Sequence, residues 1–182
     1  IRLSLVGSEM CIRDSLEGAD DCVLFASGMS AVITTILSLV RSGDHIVITD
    51  DAYKKTLEFC TGYIQRFGVD CTVVPFGKYD EIDKAVRKTT RFMISESPTN
   101  PYLNIFDLHR LREIAHKHHI LTLIDSTFAT PVNQRPLEFG VDLVIHSCTK
   151  YLGGHNDILA GAVLGRTELI SQIRDLHNAM GG

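Results

Sequence analysis

From about Leu16 onward, short apolar runs alternate with longer segments of mixed polarity. Seven runs read as strands: "CVLFA", "HIVIT", "CTVVPF", "RFMISE", "ILTLID", "VDLVIHS" and "LAGAVLG". Between them the spacing predicts helices over Met29–Val40 with Ser27 as N-cap, about Tyr53 to Gln65, "DEIDKAVRK", Asp107–Lys117 and about Thr167 to Asn178. Strands built of continuous Val, Ile and Leu, separated by helices, belong to a mainly parallel sheet covered on both faces. The expected fold is therefore α/β: about seven strands with helices on both sides. In such a sheet, functional groups gather at the carboxyl ends of the strands.

Composition adds limits rather than direction. The 182 residues suit about one domain, and 45% hydrophobic with 22% charged content is that of an ordinary globular protein. The net charge of −4 and the lack of a basic run give no reason to expect a nucleic-acid or membrane-surface partner. The longest apolar stretch, "AVITTILSLV", is too short to span a bilayer. Five irregularly spaced cysteines without C-x-x-C suggest reduced thiols and a cytoplasmic setting.

The beginning reads differently. "SLVGSEMCIRDS" has neither helical nor strand periodicity and lacks the layout of a signal peptide. Residues 1–15 are expected to be a non-native leader, the alternative being a genuine N-terminal arm. Residues 16–182 then form the functional domain. The ends of the sequence suggest a fragment.

The predicted strand ends carry "SGMSA", "DDAY", "ESPTNP", "DSTFATP" and "HSCTK". Ser27-Gly28-Met29 lies where a strand passes into a helix, so backbone N–H groups there favour an anion, with Ser147 and Thr149 as hydroxyl donors beside it. Ser-Gly at a helix start is also a common cap. Neither G-x-x-x-x-G-K-[ST] nor G-x-G-x-x-G is present.

Asp125 reads either as a turn cap or as a carboxylate held against a ring nitrogen. Lys150 is a surface lysine, or an amine whose lowered pKa frees it to form a Schiff base. Tyr53 fits the core or a stacking platform, and Asn100 is an ordinary turn residue. A phosphate cradle, a stacking ring, an Asp for a pyridinium nitrogen and a Schiff-base lysine together describe a site for pyridoxal phosphate (PLP). His116 and His119 stand at i, i+3, but no Cys or carboxylate cluster accompanies them, so a solvated helix end is expected and no metal. His155 is expected to order the loop after Lys150, and Cys148 to pack away from Ser147 and Thr149.

"FASGMSA", "ESPTNP", "IDSTFATP" and "HSCTKYLGGHNDILAG", in this order, resemble the Cys/Met-metabolism family of fold-type I PLP enzymes. Within it, "YKKT", "TFATPVNQ" and "GGHNDILAG" are most similar to the plant-like cystathionine γ-synthases. The resemblance runs from about Glu17 to Gly182. It implies that Gly28 and Met29 offer backbone amides to the cofactor phosphate, with Ser147 and Thr149 beside them. Tyr53 would stack on the ring and help move protons, Asp125 would pair with the ring nitrogen, and Asn100 would bond the ring hydroxyl. Thr127 would pack near the ring face, Glu96 would line the substrate pocket, and Lys150 would be the Schiff-base lysine.

The same resemblance implies a γ-replacement that joins cysteine to an activated homoserine ester, forming cystathionine. It also implies a homotetramer, an N-terminal segment reaching a neighbour's phosphate site, and a C-terminal domain with an arginine for the substrate carboxylate. Cystathionine γ-lyase, β-lyase and methionine γ-lyase share nearly all these residues and are the nearest alternatives. A non-catalytic α/β binding domain is the alternative of another class.

Overall fold

Apolar runs that are buried on both faces can satisfy their backbone groups only by pairing with one another, and here they form one sheet. The computed structural model describes residues 16–181. The expected leader at 1–15 lies outside these described residues, as does Gly182.

The strands are β1 (Asp21–Phe25), β2 (His45–Thr49), β3 (Asp70–Val74), β4 (Thr90–Glu96), β5 (Leu121–Asp125), β6 (Leu143–Ser147) and β7 (Gly161–Gly165). Their order across the sheet is β1-β7-β6-β5-β4-β2-β3. β3, β2, β4, β5 and β6 run parallel, while β7 is antiparallel to both β6 and β1. Two reversals cancel, so β1 ends at the same edge as β6. Phe25 and Ser147 both pair with Gly161 there.

The helices are α1 (Gly28–Leu39), α2 (Lys54–Glu58), α3 (Tyr79–Ala85), α4 (Leu108–His118), α5 (Thr130–Asn133) and α6 (Thr167–Ala179). Ser27 caps α1 as expected, its hydroxyl accepting the Ser30 N–H at 3.1 Å. Asp107 caps α4 by accepting the N–H groups of His109 and Arg110, each at 3.1 Å.

The helix expected over about 53–65 is regular only to Glu58. It widens into a π turn over Phe59–Tyr63 and tightens into a 3-10 turn over Ile64–Phe67. The aromatic, Cys, Thr and Gly residues of "FCTGY" are weak helix formers, and burying Phe59 and Cys60 settles the local geometry instead.

Two apolar layers cover the sheet. One packs α1, α6 and the Phe59–Ile64 turns on Ile46, Ile48, Phe92, Ile94, Leu123, Leu143 and Ile145. The other packs α3 and α4 on Val47, Met93, Ile124 and Val144. Cys148 is fully buried with Cys22, Ala162 and Leu164.

A buried polar contact crosses 129 residues of sequence, His146 Nε2 meeting Glu17 Oε1. It fastens the first described turn beneath β6. No helix among the described residues is long and apolar enough to cross a membrane.

Candidate active site

The carboxyl ends of β1, β2, β4, β5 and β6 open on a cleft of about 540 Å³. It is lined by Ser27, Gly28, Met29, Val32, Tyr53, Glu96, Asn100, Asp125, Thr127, Phe128, Ser147, Thr149, Lys150 and Leu159. All ten residues singled out in the sequence stand in that lining. A pocket of 300–1,000 Å³ is of the size that holds a cofactor or small ligand.

One wall is the start of α1. The cap takes the Ser30 N–H, and the first helical bond takes the Ala31 N–H onto the Ser27 carbonyl at 3.1 Å. The N–H groups of Gly28 and Met29 are left for an anion. Packing also requires a glycine at position 28. A Cβ there would lie 2.8 Å from Ser147 Cβ and 3.0 Å from its Oγ. The missing side chain therefore lets β6 press against the helix start, which brings the Ser147 hydroxyl to the two amides.

The floor is made by Asp125 and its neighbours. Asp125 Oδ1 accepts the Thr127 N–H at 3.0 Å and the Thr127 hydroxyl. Thr127 Oγ1 in turn accepts the Ser147 N–H at 2.8 Å. A hydroxyl has one hydrogen, so with that lone pair occupied its proton points to Asp125. Burial pushes the Asp125 carboxyl up from its ordinary range, and the two Thr127 donors and His146 oppose this. Thr127 lines the cleft, and it also links Asp125 to the end of β6.

Glu96 is 4% exposed, and burial pushes it up to about 8, with Asp125 and Asp51 adding to the rise. Its Oε2 is buried and has no hydrogen-bond partner among the described residues. Tyr53, at the N-terminus of α2, is 41% exposed at the mouth. Asn100 is exposed on the loop after β4.

Lys150 follows Ser147 in a turn, its N–H bonded to the Ser147 carbonyl at 3.1 Å, and it is exposed to the cleft. The turn continues with Gly153 N–H on the Cys148 carbonyl at 2.8 Å. A Cβ on Gly153 would come within 2.7 Å of that oxygen. His155 Nδ1 lies 3.1 Å from the Gly153 carbonyl, consistent with the ordering of this loop. The Thr149 hydroxyl is engaged with Ala160, accepting its N–H at 3.1 Å and donating to its carbonyl at 3.3 Å.

Sequence reasoning did not single out Val32, Phe128 or Leu159 as part of the site. Phe128 is the one with a signal, an aromatic ring directly after Thr127 in a loop of small and polar residues. Its ring meets Tyr151 edge-on at 5.6 Å and forms part of the rim. His116 and His119, 6.4 Å apart, lie outside the cleft, and no cluster of three or more metal-ligating side chains occurs among the described residues.

The profile of the Cys/Met metabolism PLP-dependent enzymes matches residues 9–182. The chain belongs to this family. Its cofactor is PLP. The chain is 44% identical over 169 residues to the chloroplastic cystathionine γ-synthase 1 of Arabidopsis thaliana, covering 92% of this chain and 30% of that protein. It is 42% identical over 168 residues to a cystathionine γ-lyase of Bacillus subtilis, covering 92% and 44%.

Among solved structures, metB from Corynebacterium glutamicum superposes with a TM-score of 0.90 at 34% identity, covering 93% of this chain and 44% of that one. A putative O-acetylhomoserine (thiol)-lyase from Campylobacter jejuni, crystallised with a pyridoxyl-lysine monophosphate, gives a TM-score of 0.85 at 29% identity, covering 90% and 40%. The chain thus spans less than half the length of the relatives it matches. Those relatives include synthases and lyases, so membership fixes the cofactor but not one reaction.

The donor set fits PLP. Two helix-start amides with an adjacent serine suit a phosphate, a buried carboxyl suits a ring nitrogen, and an amine stands at the mouth.

Proposed function

We propose that this chain forms the cofactor-binding part of a PLP-dependent γ-replacement enzyme that joins cysteine to an activated homoserine ester, giving cystathionine. The observation that carries the reading is the single cleft that holds Lys150, Asp125, Tyr53 and the α1 amides together. The 44% identity to a plant cystathionine γ-synthase supports the synthase over its neighbours in the family.

Bound in the cleft, PLP supplies an electron sink for the α-carbon of an amino acid. Lys150 would hold the cofactor through Nζ, and its amine would serve as the base for the substrate α-proton. Asp125 would pair with the cofactor's ring nitrogen and favour its protonated form, and Thr127 fixes the Asp125 carboxyl through its two donors. The N–H groups of Gly28 and Met29, with Ser147 and Thr149, hold the phosphate. Tyr53 would stack on the ring and help move protons, Asn100 would bond the ring hydroxyl, and Glu96 would line the substrate pocket. We propose a homo-oligomeric, cytoplasmic enzyme when the full-length protein is assembled.

A second reading is elimination from cystathionine or methionine, favoured by the 42% identities to a γ-lyase and a methionine γ-lyase. Product analysis with cysteine plus an activated homoserine, compared with cystathionine alone, separates the two. Cystathionine formed from the first mixture supports replacement. Ketoacid and thiol from the second, with no product from the first, refute it.

A further inference from the structure

Glu96 and Asp125 end neighbouring parallel strands and are partners in register. Adjacent strands lie about 4.8 Å apart. Ile94 and Leu123, two residues earlier on each strand, share one apolar layer. The two carboxyls therefore project from the same face, side by side. Both line the cleft, and both border an adjoining hollow of about 10 Å³ that is walled mostly by apolar side chains such as Val32, Ile94, Leu123 and Ile145, with Thr56 and Ser95 beside them. That hollow admits one water at most. Two ionised carboxylates at this separation in apolar surroundings repel strongly, and such pairs retain one proton.

The surroundings decide which member keeps it. Asp125 receives two donors from Thr127, and both favour its ionised form. Glu96 has an oxygen with no partner among the described residues, and only the backbone N–H of Tyr53 lies against its carboxyl. From the loop after β2, Asp51 adds a further negative charge, although it is itself held by Asn104 Nδ2 at 2.8 Å. On the β6 side the charged groups are His146, which favours an ionised Asp125, and Lys150 on the cleft wall.

We propose that Glu96 and Asp125 are a carboxyl pair sharing one proton, carried by Glu96, so that a single negative charge, on Asp125, faces the cofactor's ring nitrogen. Glu96 is then a neutral positioning residue, and its orphaned Oε2 bears the hydrogen. The rise of its carboxyl to about 8, caused first by burial and then by Asp125, agrees with this. The purpose of the pair rests on the PLP reading, whereas the shared proton does not.

Infrared titration of the cofactor-free chain tests the proton directly. Every ordinary carboxyl is ionised at pH 7, so a protonated-acid carbonyl band there reports the pair. Wild type is expected to show the band at pH 7 and to lose it with a midpoint near 8, and Glu96→Gln is expected to lack it. Asp125→Asn should move the midpoint down, because the neighbouring negative charge is gone. PLP titrations of the same chains at pH 7, run beside the infrared series, judge the PLP reading separately.

The proposal is overturned by a wild type without the band at pH 7, by an unchanged band in Glu96→Gln, or by an Asp125→Asn midpoint that stays put. If Glu96→Gln does not fold, the wild-type and Asp125→Asn titrations decide. Failure of every chain to bind PLP would refute the proposed function while the infrared result still judges the pair.

Discussion

The Thr127 hydroxyl donates to Asp125 Oδ1 while accepting the Ser147 N–H at 2.8 Å. One side chain thus ties the candidate ring-nitrogen partner at the end of β5 to the phosphate side at the end of β6. Thr127→Val keeps the volume but leaves the Ser147 N–H unpaired and takes a donor from Asp125. It should cost about 1–3 kcal/mol of stability by urea denaturation and weaken PLP binding about tenfold or more. Thr127→Ser should restore both. A Val variant with unchanged PLP affinity would mean that Asp125 does not depend on this link.

Gly28→Ala places a methyl group 2.8 Å from Ser147 Cβ, closer than carbon atoms approach. Either α1 or the end of β6 must shift, and the cost is about 1–3 kcal/mol, as for an overpacked core. Because that shift separates the Ser147 hydroxyl from the α1 amides, affinity for inorganic phosphate and for PLP should fall together. Titration of the variant with each ligand checks this.

Glu96 also gives stability a pH dependence. Its folded value is near 8, against 4.5 for the ordinary carboxyl. The folded chain therefore holds more protons than the unfolded one between these limits, and stability falls as pH rises across that window. The contribution is fully present below about 4.5 and gone above about 8. The expected fall is on the order of a few kcal/mol. Denaturant midpoints at pH 5, 7 and 9 should decline in wild type and decline markedly less in Glu96→Gln. Equal slopes would refute the assignment.

Removing His146 should be severe for a different reason. His146→Ala leaves the buried Glu17 carboxyl without its His146 partner, and a buried polar group left unsatisfied costs about 1–3 kcal/mol, more where it is charged. Paired replacement of Glu17 and His146 by apolar residues should recover much of the loss. Thermal unfolding of the single and double variants measures the difference.

The sequence was most legible where the pattern was local. Continuous apolar runs marked all seven strands, and Ser27 and Asp107 marked the starts of two helices by cap chemistry alone. The candidate residues could be gathered because a parallel sheet brings its strand ends to one edge.

Long-range matters were hidden. The reversal of β7 depends on the Cys148–Ala160 segment turning back without a helix, and its Gly-Gly pair was a signal that carried no direction. Gly28 was expected to serve a ligand, yet it first answers to Ser147, 119 residues away in sequence. The register of Glu96 with Asp125 and the pairing of Glu17 with His146 are properties of the packed sheet and leave no trace in local pattern.

The central claim is that Lys150 holds PLP in this cleft. It is tested most directly by incubating the folded chain with PLP, reducing with borohydride and locating the modified residue by mass spectrometry. The account predicts a new visible absorbance band, fixed by reduction as a pyridoxyl group on Lys150 and absent from Lys150→Ala. Modification of another lysine in preference, or the same band in folded Lys150→Ala, would contradict it.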